Sequence, residues 1–198
     1  KNKLAALKGL RPSQILCGNG SDEVLDLIFR AFCEPNEDGI ITLTPTYGMY
    51  AVLANLNGIQ QQCVCLTADF QIDVPAVLNA IRPNSKLLFI CSPNNPSGNV
   101  MSRTAIKEIL KAFKGLVVID EAYIDFTDTE SWLEDLSEHP NLVVTQTLSK
   151  AYGLAGIRLG ICYASEEIIA VLNKIKPPYN NNSLTQKAAI SAISQREN

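Results

Sequence analysis

The feature that most constrains this chain is a recurrence of short apolar runs with almost no polar alternation. They fall at 14–17, 40–43, 62–66, 86–91, 116–119, 142–147 and 159–163. A run such as Leu116-Val117-Val118-Ile119 has the length and branching of a strand, and its lack of alternation predicts burial on both faces. Amphipathic spans fill the intervals. Residues 22–33 open on Asp22 and Glu23, and 74–81 follow Asp73 as a cap with Pro75 in the first turn. Spans 103–113 and 166–175 follow Ser102 and Ser165 as N-caps, and Ser183-x-x-Gln186 reads as a capping box opening a last helix. Strand–helix alternation implies right-handed crossovers. The expected fold is α/β: a three-layer α/β/α sandwich around a mostly parallel, seven-stranded sheet. Ligands of such sheets bind beyond the carboxyl ends of the strands.

The 198 residues suffice for a substantial core, and a net charge of −3 argues against a nucleic-acid or polybasic membrane surface. No apolar run reaches the ~18 residues of a membrane span, and no signal peptide opens the chain. The first residue is Lys1, so the natural start is expected to lie elsewhere. The single histidine, His139, excludes multi-histidine metal sites and reads as a surface loop residue before Pro140. The six cysteines form no C-x-x-C pair, so buried, reduced thiols in a cytoplasmic protein are expected, with no disulfide framework and no metal site.

The loops after the strands carry the chemistry. Gly18 through Glu23 is a tight turn into a helix N-terminus, which can hold an anion or simply start a helix well. Tyr47, in Thr44-Pro45-Thr46-Tyr47, can lie on a ring-shaped ligand or pack in the core. In Ser92-Pro93-Asn94-Asn95-Pro96, the prolines present Asn95 at a defined angle, or make a plain turn. Asp120 follows Leu-Val-Val-Ile directly, which is costly without a positive partner or hydrogen bonds; a helix cap or ion pair is the plainer alternative. Thr147 through Gly160 holds Thr147, Ser149, Lys150 and Arg158 in an apolar, glycine-rich run. A lysine desolvated there would be a nucleophilic amine, and an arginine beside hydroxyls suits phosphate.

Taken together these groups meet the needs of pyridoxal phosphate: a lysine for its aldehyde, an acid for its ring nitrogen, donors for its ring oxygen and an anion cradle. An acid–pyridinium pair at ~4 Å and an effective dielectric of ~20 attracts by on the order of 4 kcal/mol before desolvation. The runs Cys91 through Gly98, Val118 through Phe126 and Thr147 through Gly160 resemble, in order, three signatures of the fold-type-I pyridoxal-phosphate-dependent aminotransferases. Within them the chain is most similar to the histidinol-phosphate aminotransferase family. Gly18 through Glu23 and Pro45 through Tyr50 match as well, so the resemblance covers nearly the whole chain.

The resemblance implies roles for matching positions. Lys150 would carry the cofactor as a Schiff base and shuttle the proton, and Asp120 would pair with the pyridine nitrogen. Asn95 and Tyr123 would contact the ring hydroxyl, and Tyr47 would stack on the ring. Thr147, Ser149, Arg158 and the Ser21–Asp22 turn would hold the phosphate. The implied reaction moves an amino group between L-histidinol phosphate and 2-oxoglutarate in histidine biosynthesis, in a homodimer. A threonine-phosphate decarboxylase-like enzyme or another aminotransferase of the same fold is the alternative. The family's N-terminal segment and smaller C-terminal domain have no counterpart here. The chain is therefore expected to be the large cofactor domain, over 1–176, with 177–198 starting the connection to the smaller one. It is expected to be a poor transaminase alone, and an exposed apolar face should remain where family members pair. Tyr179, Asn180 and Asn181 are left between bordering the substrate pocket and forming a helix-to-helix turn.

Overall fold

The computed structural model describes residues 1–196. Seven strands form one sheet: β1 (Ile15–Asn19), β2 (Gly39–Thr44), β3 (Gln60–Cys65), β4 (Ser85–Cys91), β5 (Leu116–Asp120), β6 (Leu142–Thr147) and β7 (Leu159–Tyr163). Each overlaps a run expected to be a strand, but β1 extends over Gly18 and Asn19, which were expected in the turn that follows, and β3 begins two residues earlier than expected. The order across the sheet is β1-β7-β6-β5-β4-β2-β3. All neighbours are parallel except β7, which runs antiparallel to both β1 and β6.

Period-two geometry explains the unalternating runs. In β4, Leu87, Phe89 and Cys91 face one hydrophobic cluster, while Leu88 and Ile90 face the other. In β5, Val118 and its neighbours Val117 and Ile119 divide the same way. Every side chain of such a strand is therefore covered, each fully buried one contributing about 1.5–3 kcal/mol. One cover holds α1 (Asn2–Lys8), α4 (Val74–Ala80), α5 (Arg103–Ala112) and α7 (Ser183–Arg196); the other holds α2 (Ser21–Phe32), α3 (Met49–Leu56) and α6 (Glu166–Ile175). The three-layer α/β/α arrangement is thus the observed one.

The expected caps are largely in place. Asp73 accepts from the Ala76 amide at 3.0 Å, and Ser102 and Ser165 accept from the amides of Ala105 and Ile168. The last helix departs from expectation by one residue. Asn182, not Ser183, caps it, accepting from the Thr185 amide at 2.9 Å, while Gln186 reaches back to the Asn181 carbonyl. Asn and Ser compete closely for an N-cap, so two in succession leave the boundary to the surrounding packing. Helices α1 and α3 had no clear sequence signal; both are short, and α3 is apolar nearly all round. Glu197 and Asn198, the end of the expected 177–198 connection, lie outside the described residues.

The thiols differ from expectation. All six are free, and Cys33, Cys91 and Cys162 are buried, but Cys63 and Cys65 are exposed. They lie on β3, the strand at one edge of the sheet. His139 is half-buried, in a turn whose amide bonds the Asp135 carbonyl. No helix among the described residues is long and apolar enough to cross a membrane.

Candidate active site

The carboxyl ends of β1, β2, β4, β5 and β6 open on one edge of the sheet. Because β7 is antiparallel, its first residues meet that same edge, and this brings Arg158 to it. The cleft there is lined by Ser21, Asp22, Tyr47, Asn95, Asp120, Tyr123, Thr147, Ser149, Lys150 and Arg158, with Cys91 and Ala122. All ten expected site residues therefore meet in one place.

Asp120 ends the central strand. Registry sets it between Cys91 of β4 and Thr145 of β6. Its Oδ1 accepts from the Thr145 hydroxyl (3.1 Å) and the Ala122 amide (3.2 Å), and its Oδ2 accepts from the Tyr50 hydroxyl (2.9 Å). Burial pushes the carboxyl above its ordinary range, and these three donors oppose that shift by favouring the charged form. The same burial, with Asp120 beside it, pushes Tyr50 well above the usual tyrosine value. Tyr50, fully buried and stacked on Phe89, thus serves Asp120. Tyr50 and Thr145 carried no role in the sequence reading. Thr145 was detectable, since it lies two residues before Thr147 on one strand and so shares its face. Tyr50 was not, because its reach to Asp120 depends on how α3 docks.

The anion end of the cleft lies at the start of α2. Arg158 adopts a left-handed backbone (φ 55°) and packs its guanidinium against Gly20, where a Cβ would collide with it. Gly160 lies equally close to the backbone of Gly20 and Ser21. Two glycines on facing segments thus let β7 and the α2 N-terminus close into a cradle. Asp22 does not face inward as a bare acid: Oδ1 accepts from the Tyr47 hydroxyl (3.1 Å), and Oδ2 is 4.0 Å from Arg158 Nη2. Its side chain steadies Tyr47 and Arg158, leaving backbone N–H groups for an anion. The Tyr47 phenol is pushed up to about 12, by burial first and then by Asp22. Glu23 turns away, accepting from the Asn19 amide (2.6 Å) and Asn180 (2.7 Å). The Thr147 hydroxyl lies 3.0 Å from Ser149 Oγ and 3.1 Å from the Leu159 carbonyl, so it braces the loop while Ser149 keeps a donor for a ligand.

The two asparagines between prolines divide their work. Asn94 is buried as a staple, donating to the Pro45 carbonyl (3.0 Å) and Ser97 (2.7 Å) and accepting from Thr46 (3.1 Å). Asn95 is the one that faces the cleft. Lys150 departs from expectation: its side chain is exposed, 5.2 Å above the Tyr123 ring, rather than desolvated. No element of the described residues packs over that side of the cleft. Tyr179, Asn180 and Asn181 do not border the cleft. Tyr179 is 94% exposed, and both asparagines donate to the Cys17 carbonyl.

The donor set fits pyridoxal phosphate. A buried carboxylate with three donors suits a ring N–H, a primary amine stands over the cleft, and the glycine-walled cradle with Arg158 and Ser149 suits a phosphate.

The chain belongs to the aminotransferase class I and II family, whose model matches residues 1–198. It is 65% identical over 186 residues to the histidinol-phosphate aminotransferase of Flavobacterium johnsoniae, covering 94% of this chain and 53% of that one. It is 50% identical over 193 residues to that of Bacteroides fragilis, covering 98% and 56%. The chain spans about half the length of the curated relatives it matches. The solved histidinol-phosphate aminotransferase of Sinorhizobium meliloti, in complex with pyridoxal-5'-phosphate, superposes with a TM-score of 0.91 at 28% identity, covering 99% of this chain and 54% of that one.

Proposed function

We propose that this chain is the cofactor-binding part of a pyridoxal-phosphate-dependent transaminase that moves an amino group between L-histidinol phosphate and 2-oxoglutarate. One observation carries this reading. The cleft joins an amine, a buried acid and an anion cradle, in a chain that is 65% identical to a histidinol-phosphate aminotransferase. When bound, the cofactor supplies a carbonyl carbon that takes up an amine and a protonated ring that withdraws electrons. Lys150 would anchor it and, once displaced by substrate, take and return the proton at the substrate α-carbon. Asp120, whose charged form Tyr50, Thr145 and the Ala122 amide favour, would pair with the ring nitrogen and keep it protonated. Asn95 and Tyr123 would bond the ring oxygen, and Tyr47 would lie on the ring face. Ser149, Arg158 and the amides of Ser21 and Asp22 would hold the phosphate, with Thr147 fixing Ser149.

Residues 1–176 are read as the cofactor domain and 177–198 as the start of a connection to a smaller domain, in a cytoplasmic homodimer. The exposed Lys150 and the exposed apolar side chains Val52, Leu56 and Phe126 support further covering parts. The chain alone should bind cofactor and transaminate poorly. The test is to add pyridoxal phosphate and record the visible band for the chain and for Lys150→Ala. A band that persists without Lys150 would refute the assignment. In the full-length parent, nitrogen should pass from histidinol phosphate to 2-oxoglutarate; carbon dioxide release from a phosphorylated amino acid would replace the proposed reaction.

A further inference from the structure

Strand β3 is an edge strand that pairs only with β2. Val64 points into the hydrophobic core, so Cys63 and Cys65, on either side of it, share the opposite face. Both are free and exposed, whereas Cys33, Cys91 and Cys162 are buried and pushed up to about 12 by burial. Cys63 Sγ also accepts from the Thr42 hydroxyl at 3.7 Å.

Two residues along a strand advance roughly 6.6 Å, and their Cβ atoms stay nearly that far apart. A disulfide requires Cβ atoms about 3.5–4.5 Å apart, so these two thiols are poorly placed to oxidise to one. They can swing inward to about 4.6 Å, twice a metal–sulfur bond of about 2.3 Å, and so hold one atom between them in line. Among the described residues the one cluster of three or more ligating groups lies elsewhere, at Asp135, Glu138 and His139, and Arg103 and Lys107 already engage Asp135. Two sulfurs fall short of the four ligands of structural zinc, and their softness selects a monovalent ion content with two.

We propose that Cys63 and Cys65 form a two-thiolate site for a soft, thiophilic metal ion, Cu(I) being the physiological member of that class. Each thiol gives its proton to solvent as its sulfur–metal bond forms, and the metal keeps its oxidation state. The site is independent of the cofactor cleft.

The full chain, reduced and under anaerobic conditions, is titrated with Cu(I) against a chromogenic Cu(I) chelator. One equivalent should bind tightly and shield two thiols from alkylation, identified by mass spectrometry as Cys63 and Cys65. Cys63→Ser and Cys65→Ser should each weaken uptake by about 100-fold, since the second thiolate acts at a high effective concentration. Both positions are exposed, so melting temperatures should not change and loss of fold would not mimic the result. Wild-type affinity in either variant, shielding of Cys17 instead, or no tight equivalent in the wild type would overturn the proposal.

Discussion

Asp120 shows how much one residue depends on its neighbours. Its carboxyl is buried at the end of β5, and three donors, one of them the Tyr50 hydroxyl, favour its charged form against that burial. Tyr50→Phe removes that donor without altering the ring stacking on Phe89. A hydrogen bond to a charged group contributes about 1.5–3 kcal/mol, so pyridoxal phosphate should bind on the order of 10-fold or more weakly, as measured by equilibrium titration. The sign of the pH effect follows from the raised carboxyl. Folded Asp120 holds its proton to higher pH than the unfolded chain does, so ionising it costs stability progressively as pH rises above about 3.8. Asp120→Asn removes that cost, and Tyr50 can then accept from the amide. The variant should match the wild type in urea midpoint near pH 3.5 and exceed it at pH 7, while losing tight cofactor binding. Equal midpoints at pH 7 would show that the three donors fully offset the burial.

The elements differ in how they are held. Helix α4 is fixed at its start by Asp73, whose carboxylate accepts from the Ala76 amide at 3.0 Å. Asp73→Ala should cost about 1 kcal/mol in urea unfolding and leave cofactor affinity unchanged, because α4 lies away from the cleft. The contact of β7 with the start of α2 behaves in the opposite way. A Cβ on Gly160 would run into the backbone of Gly20 and Ser21, which cannot rotate aside. Gly160→Ala should cost about 1–3 kcal/mol as the two segments separate, and it should weaken inorganic phosphate and cofactor binding together. The pair of variants separates packing from site assembly: one lowers stability alone, the other lowers both.

For the molecule as a whole, the open cleft means that cofactor binding and folding are linked. A ligand that binds only the folded chain stabilises it by about 2.7 kcal/mol at 100 times its dissociation constant. Pyridoxal phosphate should therefore raise the urea midpoint of the wild-type chain, and most of that rise should vanish in Lys150→Ala. The strands, and the gathering of the ten expected residues on the loops at one edge of the sheet, were legible in the sequence for a physical reason, while the role expected of each came from the family resemblance. Strands buried on both faces leave unbroken apolar runs, and a sheet of this class places ligand groups directly after them. The order of the strands, the antiparallel sense of β7, the cap at Asn182 and the exposure of Lys150, Cys63 and Cys65 were not. Each depends on which segments pack against which, and a local pattern does not record that. Composition and periodicity by themselves determined a two-sided α/β sheet with its chemistry on the loops after Ile119 and Thr147. Only the tertiary structure decided that Tyr50 and Thr145 hold Asp120, and that Gly20 and Gly160 let Arg158 close on the helix start. Those contacts join residues far apart in the chain, and only packing brings them within reach.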